Sequence, residues 1–234
     1  MIGLHRPFLT IDTSGKQGGV ALLRAVRHGD REEISLVEEV PLVGGTFSAQ
    51  LVPQIAVLLE KHRISKAEIE AFIVVSGPGS FTGLRVGLAA IKALAEILRK
   101  PIAPVSLLEV LALAARVEGR VVAAIDAGRG EVYVGEYRAA NDSAERLNER
   151  LLPVAEFLSA AAASSVATSN ESLAETARKA GLPVVLVESV NAAMIAHLGW
   201  KKLRAAETVT PEELEANYIR RSDAEIFAKP ASNS

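Results

Sequence analysis

One pattern is written twice in this chain, and it constrains the fold more than any other feature. Residues 8–13 (Phe-Leu-Thr-Ile-Asp-Thr) are largely apolar and contain Ile11-Asp12; a turn through 14–18 follows, then a second apolar stretch at 19–25. In the second half, 121–126 ends in Ile125-Asp126, passes a turn with Gly128 and Gly130, and enters 131–138, where apolar side chains alternate. Two apolar runs joined by a short turn read as a β-hairpin. Each hairpin leads to a third strand, near 33–41 and 146–152, and then to alternating helix and strand patterns. The chain therefore predicts two units, each a three-strand meander followed by αβα. Chance likeness between two hairpins accounts for the same residues, and the repeat alone leaves both explanations standing. A chain of 234 residues has room for two lobes with separate cores.

The first unit continues with a helix at 48–62, a buried strand at 71–76, the run Ser76-Gly77-Pro78-Gly79-Ser80-Phe81-Thr82-Gly83, a helix at 83–99 and a strand at 102–106. Pro101 ends that helix, and Pro104 places the last strand at an edge or makes it short. A glycine turn from strand into helix gathers backbone N–H groups at the positive end of a helix dipole, which suits an anion. Gly77, Gly79, Ser80 and Thr82 are the candidates for such a cradle. A Walker loop would need a lysine after its last glycine, where Leu84 and Arg85 stand, and Ser80 is not at the centre of a Gly-x-Ser-x-Gly elbow. The competing explanation is that the glycines permit a tight, close-packed turn. Asp12 and Asp126, each at a strand end beside a turn, could hold a hydrated cation carrying a phosphate across a cleft. Equally, each could accept N–H bonds from its own turn.

Other chemistry finds little support. The chain has no cysteine, which excludes disulfides and thiolate chemistry. Its four histidines, His5, His28, His62 and His197, show no metal-ligand spacing, so no metal is expected. The net charge of −2 comes without a Lys/Arg block, unlike an autonomous nucleic-acid binder. Residues 1–7 are too short and polar for a signal peptide. The most apolar stretch, 86–98, is broken by Lys92 and Glu96 and falls short of the ~20 residues of a membrane span. A soluble, cytoplasmic protein with no membrane contact is expected, with a disordered tail at 229–234.

The two helices of the first unit are too apolar for one-sided burial. In 83–99 the polar residues Arg85, Lys92, Glu96 and Arg99 form one narrow stripe. Small residues at Gly83, Gly87 and Ala90 would let another helix approach closely. In 48–62, Val57 and Leu58 intrude on the stripe set by Gln50, Gln54 and Lys61. Either both helices are sandwiched within the chain, or they offer a face to a partner.

The run from Val74 to Leu88 resembles the signature of the bacterial TsaB (YeaZ) family. The segments Ile11-Asp12-Thr13-Ser14, Ala124 to Tyr133 and Asn217-Tyr218-Ile219-Arg220 fall where that family has matching ones. The resemblance implies an α/β fold of the actin-like ATPase (ASKHA) type with two ribonuclease-H-like lobes. It divides the chain into an N-terminal lobe at 1–106, to which 209–226 returns, and a C-terminal lobe at 107–208. It implies a part in making threonylcarbamoyladenosine beside the tRNA anticodon, as a noncatalytic partner of the transferase TsaD. The small ATPase TsaE joins the complex, tRNA is met through it, ATP or ADP is bound, if at all, within it, and the chain forms a homodimer when TsaD is absent. The expected interface is Phe47, Leu51, Val57, Leu58, Leu84, Gly87, Leu88, Ala90, Ile91 and Leu94. Where relatives often carry a histidine this chain has Thr46-Phe47, which weighs against a metal and adds an apolar side chain to that interface. The alternative is an active ASKHA enzyme that hydrolyses or transfers phosphate with Asp12, Asp126 and the glycine run. A peptidase would need a nucleophile–base pair, and none is offered.

Overall fold

A computed structural model describes residues 6–28 and 31–219. In it the meander β1 (Arg6–Asp12), β2 (Gln17–His28) and β3 (Arg31–Val43) is extended by the parallel strands β4 (Ala71–Gly77) and β5 (Ile102–Ser106), in the order β3-β2-β1-β4-β5. The second sheet holds β6 (Gly119–Gly128), β7 (Glu131–Ala140), β8 (Ser143–Pro153), β9 (Ser165–Thr168) and β10 (Val184–Leu186), in the order β10-β9-β6-β7-β8. Read from the third strand of each meander, the two orders are the same. Two hairpins alike by chance would not also share the placing of two later parallel strands, so the repeat is a repeat of the whole unit. Pro104 lies on β5, an edge strand, where its missing N–H costs no ladder bond.

Apolar residues on both parities of β1 and β4 reflect burial on both faces. One face of the first sheet (Leu9, Ile11, Val20, Leu22, Phe72, Val74) packs against α1 (Phe47–Lys61) and α2 (Phe81–Leu98) through Leu51, Ile55, Leu58, Leu88 and Ile91. The other face (Phe8, Ala21, Leu23, Ile73, Val75, Val105) is covered by α6 (Ala192–Arg204), with Phe8 edge-on to Trp200. In the second sheet, Val121, Ala123, Tyr133 and Tyr137 pack against α3 (Leu107–Ala114). The opposite face, with Val122, Val132 and Val134, takes Phe157 of α4 (Val154–Ala160) and Leu173 and Ala177 of α5 (Glu171–Lys179). Each such fully buried Leu, Ile or Phe contributes about 1.5–3 kcal/mol.

The last helix of each half thus crosses to the other half's sheet. α3 follows β5 and lies on the second sheet; α6 follows β10 and lies on the first. α6 falls within 107–208, the stretch expected to form the second lobe, yet its apolar side faces the first. Gly199 makes this fit: a Cβ there would sit 2.3 Å from Ile73. The chain after α6 returns to the first sheet, where Val209 pairs antiparallel with Ile102 and Leu214 is buried in the α1/α2 core. Residues 220–226 of the expected returning segment and the tail at 229–234 lie outside the described residues, as do His5 and most of 1–7.

Candidate functional site

The two strand-end turns, the glycine run, the start of α2 and the chain at 217–219 enclose a cavity of about 1130 Å³ between the lobes. Of the six candidate cofactor residues, Gly79, Ser80, Thr82 and Asp126 line it, together with Lys16, Phe81, Tyr133 and Tyr218. Asp12 and Gly77 do not. Asp12 turns back into its own loop, where Ser14 N–H and Ser14 Oγ–H both donate to Oδ1 at 2.8 and 2.6 Å. Burial pushes the Asp12 carboxyl above the usual aspartate range, against the pull of those two bonds. Asp126 makes the corresponding bond to Gly128 N–H at 2.8 Å but faces the cavity. The two aspartates therefore do not form a matched pair across the cleft.

In the glycine run, two amides are taken by the chain itself. Ser80 N–H donates to Ser14 O at 2.6 Å, and Gly83 N–H is capped by Ser80 Oγ at 3.3 Å, so α2 starts at Phe81. Gly79, just before α2, and Gly83 and Gly87 on one face of it stand four apart and lie against the β1–β2 turn. A Cβ at these positions would lie 2.4 Å from Ser14 O, 2.0 Å from Thr13 O and 2.2 Å from Thr13 Oγ1. The close-packing explanation of the glycines is the one the geometry follows. Gly77, with φ +137°, sits against the Asn217 backbone and precedes a cis peptide to Pro78.

The expected interface needs correction. Leu51, Leu58, Leu84 and Ile91 are at most 1% exposed, and Phe47 and Leu88 are 5% exposed. All six are held within the chain's own cores, because α1 and α2 bury more than one stripe between each other and the sheet. Phe47 fills the space above Gly18, next to Gly83, and adds nothing to an outer face. Gly87 is buried against Thr13, so it serves contact between helix and turn rather than between helices. Of the ten residues, Val57 is exposed at 58%, and Ala90 and Leu94 are half-buried. Val52 and Ile97, which the sequence reading passed over, are 50% and 77% exposed on the same two helices.

His62 pairs with Glu38 and His197 with Asp142. Among the described residues no group of three or more His, Asp or Glu is placed to hold a metal ion. No helix among them is long and apolar enough to cross a membrane.

A profile of the TsaD family, described as tRNA N6-adenosine threonylcarbamoyltransferase, matches residues 41–216. The tRNA threonylcarbamoyladenosine biosynthesis protein TsaB of Bacillus subtilis (strain 168) is 35% identical over 140 residues, 59% of this chain and 58% of that protein. The protein of the same name from Escherichia coli (strain K12) is 40% identical over 92 residues, 38% of this chain and 40% of that one. The chain thus spans about half the length of the curated relatives it matches. The solved structure of YeaZ from Pseudomonas aeruginosa superposes with a TM-score of 0.67 at 25% identity, covering 90% of this chain and 99% of that one. The two sheets and their helices have the two-lobed α/β arrangement of the ASKHA fold.

Proposed function

The chain belongs to the TsaB (YeaZ) family, and from that membership we propose that it is a noncatalytic partner of a TsaD-type transferase in the synthesis of threonylcarbamoyladenosine on tRNA. The observation that carries this reading is the exposure of three large apolar side chains on two helices that pack on each other, Val52 and Val57 on α1 and Ile97 on α2. Apolar side chains left in water on a packed helix pair suit the apolar part of an interface. Ala90 and Leu94, half-buried on α2, belong to the same helix pair, and the TsaD-type partner docks there; in its absence a second copy of the chain takes its place. The glycine run supports the noncatalytic part, since groups of the chain itself occupy the amides of Ser80 and Gly83.

The test is to express the chain with the TsaD-type protein of the same organism and measure the affinity by calorimetry. Val57→Asp combined with Ile97→Asp is expected to weaken binding at least tenfold, about 1.4 kcal/mol, with melting of the isolated chain little changed. Unaltered binding removes this surface from the proposal. TsaE and tRNA enter through the assembled complex, and adding each to the pair in turn examines that.

One observation favours the second reading, an active nucleotide-using enzyme: the size of the interlobe cavity and the carboxylate of Asp126 within it. ATP turnover by the isolated chain, abolished by Asp126→Ala, would establish it.

A further inference from the structure

Glu149 on β8 is a carboxylate drawn inward on an edge strand whose other charged residues face solvent. Its side chain is 5% exposed. Three donors from three separate parts of the chain converge on it. Ser106, at the junction of β5 and α3, donates Oγ–H to Oε1 at 2.6 Å, and Tyr137 Oη–H on β7 donates to the same oxygen. Asn217 Nδ2–H donates to Oε2, with Arg146 3.9 Å away. A buried carboxylate is tolerated only while its donors stay in place, so such a network holds or fails as a unit.

Asn217 carries the connection further. Its backbone N–H donates to Ser76 O at 2.8 Å, directly before the glycine run, and its own carbonyl packs on Gly77. The next residue, Tyr218, stacks against Phe81 with ring centroids 5.2 Å apart and accepts a bond from Arg85 Nε at 3.1 Å. Arg85 in turn lies 3.7 Å above the Phe81 ring. The first turn of α2 is therefore held by the terminal segment, and that segment is held by a carboxylate of the second sheet. Its other end is anchored by Val209 on β5 and by buried Leu214.

We propose that Glu149 and the segment 209–219 form an interlobe latch, which makes opening of the cleft and movement of the glycine run and α2 a single event. Glu149 is a positioning residue in this scheme: it acts on the cleft through Asn217 and Ser76. The chain need not bind any partner for the latch to work, so this inference stands apart from the proposed function.

Amide hydrogen exchange on the full chain tests it. Glu149→Gln and Asn217→Ala are each expected to speed exchange at least tenfold in 76–88, while amides of α4 and α5 keep their parent rates. Glu136→Gln, which disturbs the separate pairing of Glu136 with Arg120 and Arg150 in the same sheet, should leave 76–88 unchanged. Parent rates at 76–88 in both latch variants, or a rise spread evenly over both sheets, would overturn the proposal. Should Glu149→Gln fail to fold, Asn217→Ala decides alone, since it only shortens a side chain on the terminal segment.

Discussion

Helices α2 and α5 hold equivalent places: each follows the fourth strand of its sheet and leads to the fifth. They differ in almost everything else. α2 is 18 residues long, exposes Ala89, Ala93 and Ile97 beside Thr82, Arg85 and Glu96, and seats Gly83 and Gly87 on the β1–β2 turn. α5 is nine residues long, starts from Asn170, and shows Glu171, Ser172, Glu175, Arg178 and Lys179 to solvent. α1 and α4 differ likewise, at 15 and seven residues. The second half carries the minimum that closes a sheet, with its outer helices polar on the outside. The first half carries more helix than its own core consumes, and part of the surplus is apolar. On the proposed function the repeat has divided its labour, and the surface for other molecules lies on the first copy.

The sharpest way to break the comparison is at the helix starts. Gly83→Ala forces a methyl group to 2.0 Å from Thr13 O, and such overpacking costs about 1–3 kcal/mol. That is a fall in Tm of roughly 2–12 °C for a chain this size, whereas Ser172→Ala at the start of α5 should stay within about 0.5 kcal/mol. Thermal melts of both variants check it, and equal effects would mean that the two helices seat alike. Next in size is the cap of α5. Asn170 Oδ1 accepts from Leu173 N–H at 2.9 Å, so Asn170→Ala should cost about 1 kcal/mol in denaturant unfolding.

A smaller effect separates the aspartates. Folded Asp12 holds its proton more tightly than an exposed aspartate, so the native state loses stability as pH rises from the ordinary aspartate range through Asp12's raised one. Asp12→Asn removes that loss while keeping an acceptor for Ser14 N–H. Its Tm should exceed the parent's at pH 7, and the two should converge in acid. A parent that outlasts the variant at pH 7 would show the Asp12 charge to be favourable where it lies. The least effect on folding is expected at Ile97, 77% exposed: Ile97→Lys should shift unfolding by no more than about 0.5 kcal/mol. Its consequence should be in association, read by sedimentation as loss of any self-complex.

Much of this was legible in the residues. The doubled Ile-Asp hairpins, the buried strand at 71–76, the edge position of Pro104 and the family resemblance all come from local pattern or a long, specific motif. The placing of α6 was not legible, because an amphipathic helix tells which side is apolar but not which sheet it will cover. For the same reason Leu51, Leu58 and Ile91 read as surplus on α1 and α2 when long-range packing consumes them. Gly83 and Gly87 looked like room for a helix, and only the fold shows that the neighbour is Thr13. Glu149 left no usable signal, because β8 carries Glu145, Arg146, Glu149 and Arg150 and alternation does not tell which of them turns inward. Asp12 and Asp126 look identical in sequence and part company only in the fold, where Asp12 is held by Ser14 and Asp126 lines the cavity.

The pairing of Val209 with Ile102 has a further meaning for how long the molecule survives in a crowded solution. β5 is an edge of its sheet, and an uncovered edge offers unpaired N–H and C=O groups to any other chain. Val209 exchanges both backbone bonds with Ile102 and blunts that edge where β5 begins. A chain cut before residue 208 would keep both sheets but leave β5 a sticky template. Turbidity rising steeply with its concentration, at temperatures where the intact chain stays clear, is the behaviour this one bridge guards against.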